Sequence, residues 1–163
     1  MSEPVGSVVQ QFQNEILEAI ALGTPLDDVA NLVCRRVETL APGAVCTLIR
    51  ILDRALHPLA APSLPSSYSQ ALQGLAIGPT VGSCGTAAWL ARPVTVRDIA
   101  TDPLWDNYRA LALPLGLVAC WSSPLLATDG TVIATFALYF RERRGPSRLE
   151  QKLVEAVVHL GAI

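Results

Sequence analysis

Cys84 comes nearest to reactive chemistry of any residue in this chain, because of the run it occupies: Gly78-Pro79-Thr80-Val81-Gly82-Ser83-Cys84-Gly85-Thr86-Ala87-Ala88. Glycines and a proline at this density exclude a regular element, since Gly carries an entropic cost and Pro lacks a donor. The run is predicted as a loop feeding a short helix over residues 86–91, with the Ser83 hydroxyl capping its first turn. At such a junction a ligand can approach the backbone and meet free N–H groups, which makes Ser83, Cys84 and Thr86 candidate ligand-binding residues. The competing reading is a turn that caps a helix and buries Cys84 as a small hydrophobe. A thiol at a helix start could also act as a nucleophile, yet no base or cation stands beside Cys84. No Lys follows the glycines, so this is not a phosphate-binding P-loop. No residue is assigned a catalytic role.

The other cysteines, Cys34, Cys46 and Cys120, are widely spaced with no C-x-x-C pair, and are expected to be free thiols of a reducing compartment. His57 and His159 stand in no metal-ligand spacing, so no metal site is expected, and no cofactor is named. Trp105, Tyr108 and Trp121 could line an aromatic pocket with polar tips, although core filling is the commoner fate of such residues. Between residues 117 and 125 alternation puts Ser122 and Ser123 on opposite faces, so only one of them can meet a pocket. Thr135 interrupts an apolar run, and a buried hydroxyl needs a partner, of which a ligand is one option. Asp98 and Asp102 suggest an acid and base pair at first sight. Asp102 is better explained as a cap before Pro103, and Asp98 as a loop holder that is retained among the ligand-binding candidates.

These residues need elements to position them. Apolar spacing predicts a helix over 7–22 ended by Gly23, then a second capped by Thr24 with Pro25 at its first position. Residues 44–52 read as a central strand and 56–60 as a short or edge strand, followed by a helix over 66–75. Beyond the Gly-rich run come a brief strand at 93–96 and a helix opening at Asp102-Pro103. Residues 117–127 and 131–140 form the clearest hairpin, about Thr128-Asp129-Gly130. Both its strands are too apolar to leave a face wet. The last helix, 146–163, opens on a capping box of Ser147 and Glu150. It carries Leu149, Leu153, Ala156 and Leu160 on one line, with Val154, Val157 and Val158 beside it. One line is expected to pack on the domain and the other to meet a partner helix. The chain stops in mid-helix, which predicts a piece of a longer protein. The order of elements favours an α+β antiparallel sheet covered by helices.

Composition narrows the partners. At 163 residues the chain is a single domain, 1–163, with 51% hydrophobic and 16% charged residues. That apolar balance predicts a partner surface. A net charge of −2 gives no footprint for nucleic acid. No apolar run is long enough to span a bilayer and Met1-Ser2-Glu3-Pro4 is no secretory signal, so a cytoplasmic location without membrane contact is expected.

The run 78–88, then Pro93-Val94-Thr95-Val96-Arg97-Asp98-Ile99, Asp102-Pro103-Leu104-Trp105, Ala119-Cys120-Trp121-Ser122-Ser123-Pro124 and Asp129-Gly130 together resemble a GAF domain. The likeness is greatest to GAF domains upstream of diguanylate cyclase, phosphodiesterase and histidine kinase modules in bacterial signalling proteins. It implies a PAS-related, six-stranded antiparallel sheet with helices on both faces, and a small-molecule pocket between the sheet and the central loops. It also implies homodimerisation through the N- and C-terminal helices. Ala134 departs from the Gly common in a Gly-Thr-Phe run, which could reshape the pocket floor. The Asn-Lys-Phe-Asp-Glu signature of cyclic-nucleotide-binding members is not apparent, which argues against cyclic AMP or GMP.

The leading expectation is a non-enzymatic sensor for an unidentified small molecule. It would signal through its terminal helices to an effector module in the same chain, within two-component or cyclic-di-GMP signalling. The alternative is a thiol-dependent enzyme resembling free methionine sulfoxide reductase, whose Cys-Gly-Thr-Ala-Ala-like stretch matches Gly82 to Ala88 loosely. Against that, residues 98–117 lack the cysteine expected of the family's catalytic thiol, and Cys120 sits in a core strand. A third possibility is a domain that has lost its ligand and remains a dimerising spacer.

Overall fold

The computed structural model describes residues 4–160. The first helix, α1 (Val5–Ala21), buries Phe12 and Ile16. The second, α2 (Leu26–Leu40), carries Asp27 and Asp28 in its first turn, where the helix dipole favours them. Thr24 does not cap it. Pro25 occupies the capping position in extended conformation (φ −55°, ψ 147°), and its carbonyl accepts from the amides of Asp28 and Val29 at 3.0 Å.

Strands β1 (Ala44–Leu52) and β2 (Ala55–Ala60) are joined by Asp53 and Arg54, both at positive φ, the backbone twist of a tight hairpin. Helix α3 (Ser66–Leu72) ends three residues before its predicted limit, where Gly74 turns the chain at φ 82°. Helix α4 (Cys84–Leu90) opens two residues earlier than predicted. After β3 (Val94–Val96) the helix predicted to open at Asp102-Pro103 divides into a 3₁₀ turn (Pro103–Trp105) and a single turn, α5 (Arg109–Ala112), because Tyr108 leaves helical conformation at φ −130°. Asp102 does cap the first piece, accepting from the Leu104 amide at 3.0 Å.

The hairpin of β4 (Ala119–Leu126) and β5 (Val132–Phe140) forms as expected and leads into α6 (Arg148–Leu160). Its capping box is made at both ends: the Ser147 hydroxyl accepts from the Glu150 amide at 3.2 Å, and the Glu150 carboxylate accepts from the Ser147 amide at 2.7 Å. The predicted mid-helix end of the chain falls at 161–163, outside the described residues.

The five strands form one antiparallel sheet in the order β2-β1-β5-β4-β3. Six were expected. The segment that would supply the sixth, Leu75-Ala76-Ile77, lies along the free edge of β2 but is confined between Gly74 and Gly78-Pro79. It makes two backbone bonds, Leu56 N to Leu75 O and Ile77 N to Arg54 O, with a third from the adjoining Gly74 N to Leu56 O, and a lone bridge of Ala76 with Ala55.

Both faces of the sheet are covered, each by its own core. On one lie α1, α2 and α6, with Phe12, Ile16, Val37, Phe136, Phe140 and Leu153 fully buried. On the other lie α3, α4 and the segment from Ile99 to Leu117, packed on Val45, Ile49, Cys120, Ala137 and Tyr139. Both apolar lines of α6 serve the first core. Val154 and Val157 are buried there and Val158 is half-buried, so they do not form the free partner surface that was expected. The exposed flank of α6 is polar: Gln151, Lys152, Glu155 and His159.

Candidate functional site

Helix α4 lies across β4 and β5, so its first residue, Cys84, faces the middle of the sheet. Alternation along the strands brings Thr47 of β1, Ser122 of β4 and Thr135 of β5 to that same face. All three are buried, and the polar atom their hydroxyls share is the Cys84 sulfur, a weak partner that none of them meets in good hydrogen-bond geometry. They stand beside the Cys84 thiol. Burial pushes that thiol above its ordinary value, and the hydroxyls of Ser122, Thr135, Tyr139 and Thr47 pull it down without overcoming burial. Cys120 lies close by, next to Ser83 and Tyr139, and burial likewise pushes it well up.

Above this cluster the side chains interlock. The Tyr68 and Tyr139 hydroxyls meet at 2.5 Å, and their rings pack edge to face. Ser83 does not cap α4: its backbone is already helical (φ −86°, ψ −42°), and its hydroxyl accepts instead from the Trp105 indole N–H at 3.0 Å. The Gly82 amide donates to the Leu104 carbonyl at 2.8 Å, so the Gly-rich loop is latched twice to the 3₁₀ turn. Gly82 is at φ 58°, a conformation that glycine adopts without strain. Thr86 ties the loop to α4, its hydroxyl donating to Gly82 O at 2.6 Å and accepting from Val81 N at 3.1 Å.

Within this lies a cavity of about 20 Å³, lined by Ser83, Cys84, Trp105, Tyr108, Tyr68 and Tyr139 among others. That is room for one water molecule. Of the residues expected to bind a ligand, Ser83, Cys84, Trp105 and Tyr108 line the cavity, and Ser122 and Thr135 lie beneath Cys84. Thr86 and Asp98 are spent on local structure, Asp98 accepting from Ala100 N and the Thr101 hydroxyl, each at 3.1 Å. Trp121 does not join the site. It lies on the opposite face of β4, against the core of α1, α2 and α6. Ala134 is on that far face too, so it does not shape the floor of this cavity.

Thr47, Tyr68 and Tyr139 were not anticipated. For Thr47 a signal existed, a hydroxyl in an apolar strand like that of Thr135. No cluster of His, Cys, Asp and Glu suited to a metal ion occurs among the described residues. All four cysteines are free and buried. With Cys84 held as a protonated, enclosed thiol, Ellman's reagent is expected to titrate none of the four in native buffer and all of them in denaturant. Rapid native labelling of Cys84 would restore the case for thiol chemistry.

A family model described as a GAF domain matches residues 23–163. A methyl sulfide methyltransferase-associated sensor of Methanosarcina acetivorans is 37% identical over 154 residues, which cover 93% of this chain and 15% of that protein. Among solved structures, the GAF domain of a phosphoenolpyruvate-protein phosphotransferase from Coxiella burnetii superposes with a TM-score of 0.78 at 18% identity, covering 97% of this chain and 90% of that one. The reduced form of fRMsr from Staphylococcus aureus gives 0.76 at 14% identity, covering each chain in full. At these identities the two structures share the fold alone.

Proposed function

The chain belongs to the GAF domain family, and from that premise we propose that it is a non-catalytic sensory module of a longer cytoplasmic signalling protein. It takes an unidentified small molecule at the Cys84 site and acts on an effector module in the same chain, in signalling of the bacterial two-component or cyclic-di-GMP kind. One observation carries the reading: three buried hydroxyls whose shared polar neighbour is only a thiol lie beneath a small, latched cavity. A buried hydroxyl left without any partner costs roughly 1–3 kcal/mol, and a thiol offsets only part of that, so three together are a poor way to fill a core. They suit a site whose polar groups find partners when it opens.

Opening means parting the Gly-rich loop from the turn at Pro103–Trp105, which releases the Trp105 to Ser83 bond and frees α4 to shift. Helix α4 and helix α6 touch the same two strands, β4 and β5, from opposite faces. Movement of one therefore loads the other through a shared pair of strands. Since α1 packs along α6, and Val5, Leu17 and Ile20 of α1 are exposed, the proposed homodimer joins through α1 with α6 beside it.

Native mass spectrometry of the purified protein is expected to find a copurified small molecule, with higher occupancy in Trp105→Phe, which lacks the indole donor. No bound molecule in either protein would leave only the dimerising spacer. Sedimentation equilibrium is expected to give twice the 17.3 kDa chain mass. A strict monomer at high concentration would remove the dimer from the proposal. The sulfoxide-reductase alternative predicts turnover of free methionine sulfoxide that disappears in Cys84→Ser. The raised and enclosed thiol argues for no turnover in either.

A further inference from the structure

On the face opposite Cys84, the apolar core stops short of the sheet's end. Along β1, Leu48, Arg50 and Leu52 project toward α1, α2 and α6 at alternate positions. They form one wall of a pocket of about 560 Å³, closed by the end of α1, the start of α2 and the end of α6. This is the volume of a small-molecule site, and far larger than the cavity at Cys84. Sixteen residues line it, of which two, Thr24 and Arg50, are polar and none is acidic. Ile20, Leu26, Leu52 and Ile133 at its margin are exposed.

Arg50 is the charged residue of this lining. Arg36 pairs with Glu15, Arg109 with Asp106 and Arg144 with Glu150, and Arg54 lies over the Trp89 ring; of the arginines without such a partner among the described residues, only Arg50 lines this pocket. Arg50 makes no ion pair and no side-chain hydrogen bond among the described residues. It is a guanidinium on the lip of an apolar pocket without a carboxylate to meet it. Ala134, paired with Arg50 in the sheet register, is small enough to leave the space beside it open.

We propose that this pocket binds a medium-chain monocarboxylate, its alkyl chain against Ile16, Val29, Leu125 and Val157 and its carboxylate on the Arg50 fork. The site is separate from the Cys84 cavity, on the other side of the sheet, and does not depend on what that cavity binds. Neutral ligands of equal length lack the charge-assisted bond, and longer polar anions lack the apolar burial.

Titration calorimetry with decanoate, run below its micelle concentration, is expected to show one site per chain in the wild type. Arg50→Gln should weaken decanoate roughly tenfold, since it removes a charge-assisted bidentate bond from an exposed side chain that the fold does not need. 1-Decanol should bind both proteins equally and weakly. Amide shift mapping should place the perturbation at Ile133, Ala134 and Leu52. Three results would overturn the proposal: no decanoate binding, equal binding by wild type and Arg50→Gln, or perturbation centred on Cys84 and Trp105. A pocket occupied by a second copy of the chain would also overturn it, seen as a dimer that Arg50→Glu dissociates and decanoate does not affect.

Discussion

Gly85→Ala is expected to lower stability by about 2–3 kcal/mol, although Ala is the better helix former. At an ordinary helical position the exchange would gain up to about 1 kcal/mol. Here a Cβ on residue 85 would lie 2.5 Å from both Cβ and Cγ1 of Val81, so one of the two segments must move. The Val81 side chain cannot swing aside, because the clash reaches its Cβ, next to the backbone. Nor is that backbone free. Val81 N is bonded to the Thr86 hydroxyl, which is also bonded to Gly82 O, and Gly82 N to Leu104 O. Overpacking therefore outweighs propensity. For a chain of this length the loss corresponds to roughly 5–10 °C in melting temperature, measurable by calorimetry. Val81→Gly in the same protein should recover part of it, whereas Val81→Ala, which keeps the Cβ, should not. A Gly85→Ala protein as stable as wild type would mean that the loop is not held against α4.

Arg144→Ala should cost about 2–3 kcal/mol near neutral pH. Glu150 is buried on the first turn of α6 and is bonded twice to Arg144, at 2.7 and 3.0 Å, and once to the Ser147 amide. The guanidinium itself rests 3.9 Å over the Phe140 ring. Its side chain is 27% exposed, which places the effect below that of a fully enclosed pair. The pH dependence distinguishes loss of the pair from loss of packing. Burial raises the Glu150 carboxyl, but the bonds from Arg144 and Ser147 outweigh it and hold the group below its ordinary 4.5. A carboxyl lowered on folding contributes stability that is complete above the unfolded value and lost as pH falls through the folded one. The wild type should thus weaken on acidification below about 4.5. In Arg144→Ala the main lowering influence is gone and burial is left to raise the carboxyl. The variant should lose part of its deficit on acidification, as Glu150 takes up a proton. Denaturant unfolding at a series of pH values tests this, and a deficit independent of pH would assign the effect to the Phe140 contact. Arg144→Met combined with Glu150→Met should be closer to wild type than Arg144→Ala alone.

What the sequence reveals of this fold is mostly what is local. Strand β1, the β4–β5 hairpin, the Asp102 cap and the Ser147–Glu150 box depend on contiguous residues and were readable. The sheet lost its expected sixth strand because a resemblance transfers strand number, whereas pairing along β2 depends on how far Gly74 and Pro79 let the chain run parallel to that edge. Site residues divide the same way. Alternation separates Trp121 from Ser122 but does not say which of them faces α4; that is decided by where α6 packs. Ser83 looked like a cap because its neighbours have cap spacing, yet its hydroxyl goes to Trp105, twenty-two residues away. The parity that unites Thr47, Ser122 and Thr135 was present in the strands, and only the cross-strand register brought it together.

The small, latched cavity has a consequence for rates. A ligand too large for a single-water space binds only to molecules whose latch has already parted, or must wait while it parts. If the open form were about 1% of the population, measured affinity would be weakened about a hundredfold relative to the open site. Association would approach a ceiling set by the opening rate as ligand concentration rises. Substitutions that release Trp105 from Ser83 would then speed capture and tighten binding without touching the ligand, and the closed domain would reject brief encounters with its ligand and answer to sustained supply.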